Sequence, residues 1–330
     1  MVDPAVIRAA AEKIARADYL LVATGAGFSA DSGLPVYMDI ATVDAYKKMG
    51  VEYHDLCDPC WIQDDLAVFY GFWGDCFNMY RDVTPHAGYE ILQRWKARLC
   101  DKDSTTLAAI MESADMGTAT TEPFFSYTSN VDAHFSHFFR PNEIYEIHGN
   151  TEHWQCSSGS CAKIWQLPSD FRFPINKETM LAEGTDSIEF LQCEECGAPA
   201  RPNILMFQDS TWLENNEDDE RYREWLSAVF HSLNRDEDKR LVILEIGCGT
   251  RVPSVRIQSE HVLRMALRKT VHTFSSLGEY QVHLIRVNPV MEEDVYQWRS
   301  GKHAPPILKI EDFGLATLKA IDDELDAMDT

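Results

Sequence analysis

Four nearly continuous apolar runs punctuate the chain: DYLLVAT (18–24), FFSYT (124–128), RLVILEI (240–246) and QVHLIRV (281–287). Each ends abruptly at a polar or glycine-bearing turn, GAGFSADSG, SNVD, GCGT and NP in that order. A half-buried strand would alternate apolar and polar residues. Runs without alternation predict strands buried on both faces, as in a parallel sheet. Between them, residues 4–17, 84–99 and 259–274 place apolar residues at helical spacing and would supply the covering layers. The predicted class is therefore α/β, a doubly wound parallel sheet. In such sheets ligands bind beyond the carboxyl ends of the strands, and all four turns fall there.

Two regions break the scheme. Residues 37–82 include DPCWIQDDLAVFYGFWGDCFNMY, aromatic and helical in pattern, and residues 151–200 hold paired cysteines among short mixed segments. The charge runs NNEDDER and NRDEDKR read as solvated loops or helix ends. No run is long enough to cross a bilayer, and the first 20 residues read as an amphipathic helix rather than a signal peptide. A cytoplasmic protein is expected, with nuclear entry left open. The 53 acidic residues against 30 Lys and Arg give a net charge of −23, which argues against a nucleic-acid surface. That acidity suits a cationic partner such as a lysine-rich peptide, although maintaining solubility is the simpler reading.

Composition points to metal. Of nine cysteines, Cys156 and Cys161 are separated by four residues and Cys193 and Cys196 by two, with a glycine after the second pair. Two close pairs across an intervening loop suit tetrahedral zinc in a closed structural site. Cys57 and Cys60, with no second pair nearby, read as ordinary thiols. In the first turn, Gly25 and Gly27 would let backbone amides approach an anion and Ser29 adds a hydroxyl, which points to a nucleotide, with a tight structural turn as the alternative. His148 ends the strand-like EIYEIHGN, close in sequence to SNVD. A neutral imidazole there has the chemistry to take a proton from a hydroxyl, in competition with ten other histidines.

Together these stretches resemble the sirtuin family of NAD-dependent protein deacylases. GAGFSADSGLP is similar to the family's cofactor loop, TSNVD to its T-Q-N-[IV]-D, IHG to its histidine motif, and CEECG with Cys156 and Cys161 to its zinc ribbon. RPNILMFQD resembles the substrate-binding segment, and EIGCGTRVP and RVN the later nucleotide turns. The resemblance implies a Rossmann-type domain (1–36, 83–150 and 201–330) and a small domain with a helical module (37–82) and a zinc ribbon (151–200). It makes His148 the base toward a ribose hydroxyl and places Asn130 and Asp132 in the nicotinamide pocket. Ala26, Ser29 and Asn288 would contact the dinucleotide, along with Gly25, Gly27, Tyr37, Ser129, Gly247, Cys248 and Gly249. Leu205 and Phe207 would flank an acylated lysine of a protein or peptide, which pairs by main chain as an added strand. The oligomeric state is not legible.

Departures from the family pattern cluster at the cleft. Tyr37 and Met38 stand where the family has Phe-Arg, so the loop lacks its cation, with Lys47, Lys48 and Arg81 as candidate replacements. Ser129 replaces a Gln, Gln208 a Gly, and Cys248 with Gly249 a Thr-Ser pair. The expected activity is lysine deacylation with transfer of the acyl group to ADP-ribose. ADP-ribosyl transfer to protein, NAD hydrolysis and a silent NAD-sensing module are the alternatives.

Overall fold

The computed structural model describes residues 2–36, 43–102, 106–113, 120–269, 280–296, 298 and 306–329. Eleven strands are formed among them: β1 (Tyr19–Thr24), β2 (Phe124–Thr128), β3 (Ile144–Glu146), β4 (Gly149–Cys156), β5 (Ile164–Gln166), β6 (Ile175–Asn176), β7 (Leu181–Ala182), β8 (Ala200–Ile204), β9 (Leu241–Ile246), β10 (Val282–Val287) and β11 (Ile307–Ile310). The main sheet runs β11-β10-β9-β1-β2-β3, parallel throughout. The four apolar runs are its four central strands. β3 is the strand-like stretch before His148, whereas β11, a short and partly exposed edge strand, lacked the apolar run that marks the others.

Successive side chains of a strand point to opposite faces, so a continuous apolar run serves two cores at once. Leu20, Val22, Val242 and Leu244 pack with residues of helices Pro4–Arg16, Gly88–Lys102 and Gly314–Met328. Tyr19, Leu21, Leu241 and Ile243 face helices Asn216–Arg235 and Ser254–Lys269 instead. The third predicted helix starts five residues early, at Ser254, and its predicted tail 270–274 lies outside the described residues. In space β1 lies between β2 and β9, so strand order reverses there and the connections diverge to leave a crevice at the carboxyl ends.

The remaining segments form a second core. Helix Leu66–Asp82 is capped by Asp65, whose carboxylate accepts from Ala67 and Val68 N–H, at 2.9 and 3.3 Å. Its Phe69, Tyr70 and Phe77 pack with Trp154, Phe173 and Met180 from around an antiparallel sheet ordered β5-β4-β8. The helical module and the ribbon thus share one apolar interior. Among the described residues no helix is long and apolar enough to cross a membrane.

An ion network that the sequence did not disclose lies beneath the ends of β9 and β10. Arg286 donates to Glu245 (2.6 and 3.1 Å), Glu260 (2.8 Å) and Asp294 (2.7 Å). Arg256 donates to the Cys248 carbonyl at 2.7 Å and pairs with Glu292 at 3.2 Å. Both arginine side chains are wholly buried, so each partner is required to offset the desolvation of the charge.

Candidate active site

The crevice is lined from the turns that follow the parallel strands. Ala26 and Ser29 come from the turn after β1, Ser129, Asn130 and Asp132 from that after β2, His148 from that after β3 and Val252 from beyond β9. The opposite wall is aromatic and apolar. It comprises Tyr53, Trp73 and Tyr80 of the helical module and Leu205, Met206 and Phe207 from the segment after β8. The sequence reading did not single out the three aromatics as site residues. Trp73 and Tyr80, seven residues apart, share one helix face, and that spacing was the available signal.

One polar chain organises the floor. Asn130 donates from Nδ2 to the Ser29 hydroxyl at 2.8 Å, and Ser29 donates to the Asp132 carboxylate. Asp132 also accepts from the His134 amide at 2.9 Å, and Thr128 Oγ1 accepts from the Asn130 amide at 3.1 Å. Ser29, Asn130 and Asp132 are all buried. Behind them Asn150 donates to Glu146, whose carboxyl is pushed up to about 8 by burial and by the charges of Asp132 and Glu152. Glu146 is thus largely protonated at neutral pH.

His148 occupies the turn between β3 and β4. Burial lowers its pKa below the ordinary 6.5, against a hydrogen bond to the Ser129 backbone that acts the other way. The imidazole is therefore neutral at physiological pH. Its carbonyl accepts from the Leu205 amide at 2.9 Å, which ties the histidine to the opposite wall. The glycine after it is obligatory: Gly149 has φ +72°, and a Cβ there would lie 1.8 Å from the Asn203 carbonyl oxygen.

Gly25, Gly27 and Gly247 serve the tight structural turn that the sequence left open as an alternative. The Gly25 and Gly27 amides donate to the Ile246 and Gly247 carbonyls, at 3.1 and 3.0 Å. A Cβ on either glycine would meet Gly247 backbone at 2.7 Å. The bare Cα atoms let the turn after β1 lie directly on the turn after β9, and those two amides are spent there rather than on an anion. Cys248 is 4% exposed, with its thiol toward the Ala23 and Ile246 carbonyls. Gly249 follows in the same turn, and the Asn288 side chain donates to the Val290 carbonyl at 2.6 Å beside it. None of these residues is among those that line the cavity. Tyr37 and Met38 lie outside the described residues.

The candidate replacements for the missing cation do not reach the cavity. Arg81 is held bidentately by Glu152 (2.8 and 2.7 Å) and donates to the Pro168 carbonyl at 2.8 Å, joining the helical module to the ribbon. Lys47 and Lys48 sit on helix Asp44–Met49 and are not among the lining residues.

The segment after β8 is a turn rather than a strand. Arg201, buried, donates to both Asp209 oxygens and to the Ile204 carbonyl, and thereby folds residues 204–209 back. Burial opposes the Asp209 charge, but the guanidinium outweighs it and holds the carboxyl below its usual range. The amides of Leu205, Met206 and Phe207 donate to His148 O, Asp209 Oδ2 and Cys57 O, at 2.9, 3.3 and 3.2 Å. The N–H groups of these three residues are thus engaged within the protein, which leaves their carbonyls as the main-chain groups an added peptide strand would pair with. Gln208 has φ +55°, where a side chain crowds the following carbonyl. Gln208→Gly is expected to raise stability by about 0.5–1 kcal/mol, seen as a higher urea midpoint at unchanged slope; a lower midpoint would contradict the strain.

At the ribbon, Cys156, Cys161, Cys193 and Cys196 bring four Sγ atoms within 4.8 Å of one another, with 3.4 Å between Cys156 and Cys196 and 3.7 Å between Cys161 and Cys193. A tetrahedron with Zn–S bonds of about 2.3 Å has S···S edges near 3.8 Å, so the donor set fits that ion.

No family model matches the sequence. Over 221 residues the chain is 24% identical to a Corynebacterium glutamicum protein named NAD-dependent protein deacylase, covering 63% of this chain and 67% of that one. Over 191 residues it is 26% identical to NAD-dependent protein deacylase 2 of Corynebacterium efficiens, covering 57% and 61%. Among solved structures, a Sir2 homologue mutant in complex with 2'-O-acetyl ADP ribose superposes with a TM-score of 0.56 at 14% identity, over 97% of this chain and 96% of that one. This is a sirtuin fold. The motif resemblance and the architecture agree, and the cavity lies at the carboxyl ends where the reversal of strand order calls for it. The match to the two curated relatives spans only about two thirds of their length.

Proposed function

We propose that the chain is an NAD-dependent protein-lysine deacylase with a structural zinc. The observation that carries this reading is a neutral His148 in the same cavity as the Asn130–Ser29–Asp132 chain and the Leu205–Phe207 wall. The names of the curated relatives and the acetyl-ADP-ribose bound to the structural neighbour support it.

NAD, when bound, supplies a ribose carbon made electrophilic by a departing nicotinamide. Asn130 and Asp132 present the amide and carboxylate groups that a carboxamide pairs with, and Ser29 fixes both. His148 takes a proton from a ribose hydroxyl at its free ring nitrogen, because its other hydrogen bond goes to Ser129. Leu205 and Phe207 flank the lysine stem, and the aromatic wall keeps water from the reacting atoms. Cys156, Cys161, Cys193 and Cys196 would hold the zinc away from this chemistry, fixing the ribbon that carries β8. Because His148 must be neutral to act, its lowered pKa places the acid limb of kcat/KM below pH 6.5. A limb centred above pH 7 would show that burial does not govern this group.

The spent amides of residues 205–207 favour a second reading on the same site, NAD hydrolysis or ADP-ribosyl transfer. Incubation with NAD and acyl-lysine peptides, followed by mass spectrometry, separates the two. O-acyl-ADP-ribose with free lysine supports deacylation, whereas bare ADP-ribose or labelled protein supports the second.

A further inference from the structure

The parallel sheet has a second end, away from the crevice. Tyr19, Leu241 and Val282 stand side by side there, where β1, β9 and β10 begin. A cavity of about 250 Å³ opens at these amino ends, lined by Glu12, Lys13 and Arg16 of helix Pro4–Arg16, Arg240 just before β9, Tyr280 before β10 and His283 on it. It shares no lining residue with the catalytic cavity. Its volume lies below the range of about 300–1,000 Å³ for drug-sized ligands, which suits a small metabolite.

The lining runs against the charge of the chain. The net charge is −23, yet among the described lining residues Lys13, Arg16 and Arg240 outnumber one acid, Glu12, which pairs with Arg8 at 3.4 Å. Arg240 carries the argument. It is 6% exposed, and its Nη1 donates to the Glu237 and Lys239 carbonyls, at 2.6 and 3.1 Å. Its Nε and Nη2 groups make no hydrogen bond among the described residues, and neither is sealed from solvent. Asp18 accepts from the Arg240 backbone amide at 2.8 Å, but its ion pair is with Lys239, at 3.2 Å. A buried guanidinium ordinarily meets a carboxylate, as Arg201, Arg256 and Arg286 do with Asp209, Glu292 and Glu245. Arg240 has no such partner among the described residues and lines a cavity instead.

We propose that this cavity binds a dianionic phosphate group, free or as the monoester of a small molecule, with Arg240 and Arg16 as donors and Lys13 adding charge. Two guanidinium forks match the oxygens of a phosphate, and a lysine supplies a point charge beside them. A carboxylate brings one charge and two oxygens, too few for three cations. Tyr280, with its ring centroid 6.4 Å from that of His283, offers an aromatic face to the body of an ester. The site goes beyond the deacylase reading and does not depend on it.

The test titrates the full chain by calorimetry with inorganic phosphate, ribose 5-phosphate and ribose at physiological ionic strength, with and without saturating NAD. A single saturable site is expected for at least one of the two phosphates, the tighter of them identifying the source, with ribose silent and NAD without effect. Arg240→Gln is expected to weaken binding roughly 10-fold or more, the loss of a charge-assisted donor. Because Arg240 also holds two backbone carbonyls, Arg16→Gln at an exposed position is the second variant, expected to weaken binding roughly 3- to 10-fold with unchanged thermal unfolding. Absence of binding by both phosphates overturns the inference. So does binding of ribose as tight as its phosphate, displacement by NAD, which would put the anion in the crevice, or an affinity unchanged in Arg16→Gln. None of these readouts uses turnover, so failure of the deacylase reading leaves this site standing, and failure here leaves that reading untouched.

Discussion

Replacing His148 with alanine is expected to slow nicotinamide release from NAD by about 10²- to 10⁴-fold, the range for loss of a positioned general base. The fold should survive, because His148 sits in a turn, only partly buried, and its structural contribution is a backbone carbonyl bonded to Leu205. Thermal unfolding of the variant should therefore match wild type within a few degrees, while turnover collapses. His148→Gln keeps a hydrogen-bonding side chain without the basicity and should be equally slow. Near-normal nicotinamide release by either variant would assign the proton to another group, and the reading of the cavity would fail with it.

Removing metal is expected to have the other large effect. A structural Cys₄ zinc couples about 10 kcal/mol or more of binding to folding, and the cysteine-bearing turns have little else to hold them. Cys161 and Cys196 are at least partly exposed, and the Cys193–Cys196 turn is closed locally by the Gly197 and Cys193 amides. One zinc per chain is expected by elemental analysis. Chelation or Cys196→Ser should expose the segment between β4 and β8 to protease while the six-stranded sheet resists. Because Arg81 and Tyr70 anchor the helical module to this ribbon, loosening should spread to the aromatic wall and depress activity. A metal-free chain with wild-type protease resistance would count against a structural ion.

The parallel sheet was legible because burial on two faces leaves a one-dimensional trace, a run with no alternation. The edge strand β11 and the short strands of the ribbon leave none, since exposure or brevity erases the period. Asn130 and Asp132 were named through the motif resemblance and His148 from its place at a strand end, and the three line one cavity because the turns after parallel strands converge. Tyr53, Trp73 and Tyr80 were missed because an aromatic stripe on a helix reads the same whether it faces a core or a cavity. The Arg256–Glu245–Arg286 cluster escaped for another reason: its members lie up to 41 residues apart, and only strand register brings them together. Gln208 shows the reverse case. Its identity suggested bulk where the chain needs freedom, and the backbone adopts the left-handed conformation regardless.

The glycine-on-glycine seam between the turns after β1 and β9 has a mechanical corollary. Backbone riding on backbone, clamped by two main-chain hydrogen bonds, leaves no glycine side chain whose rotation could part the two turns. That side of the mouth behaves as a fixed anvil. Any adjustment of the cavity to a ligand would then fall to the opposite wall, where Tyr53, Trp73 and Phe207 stand.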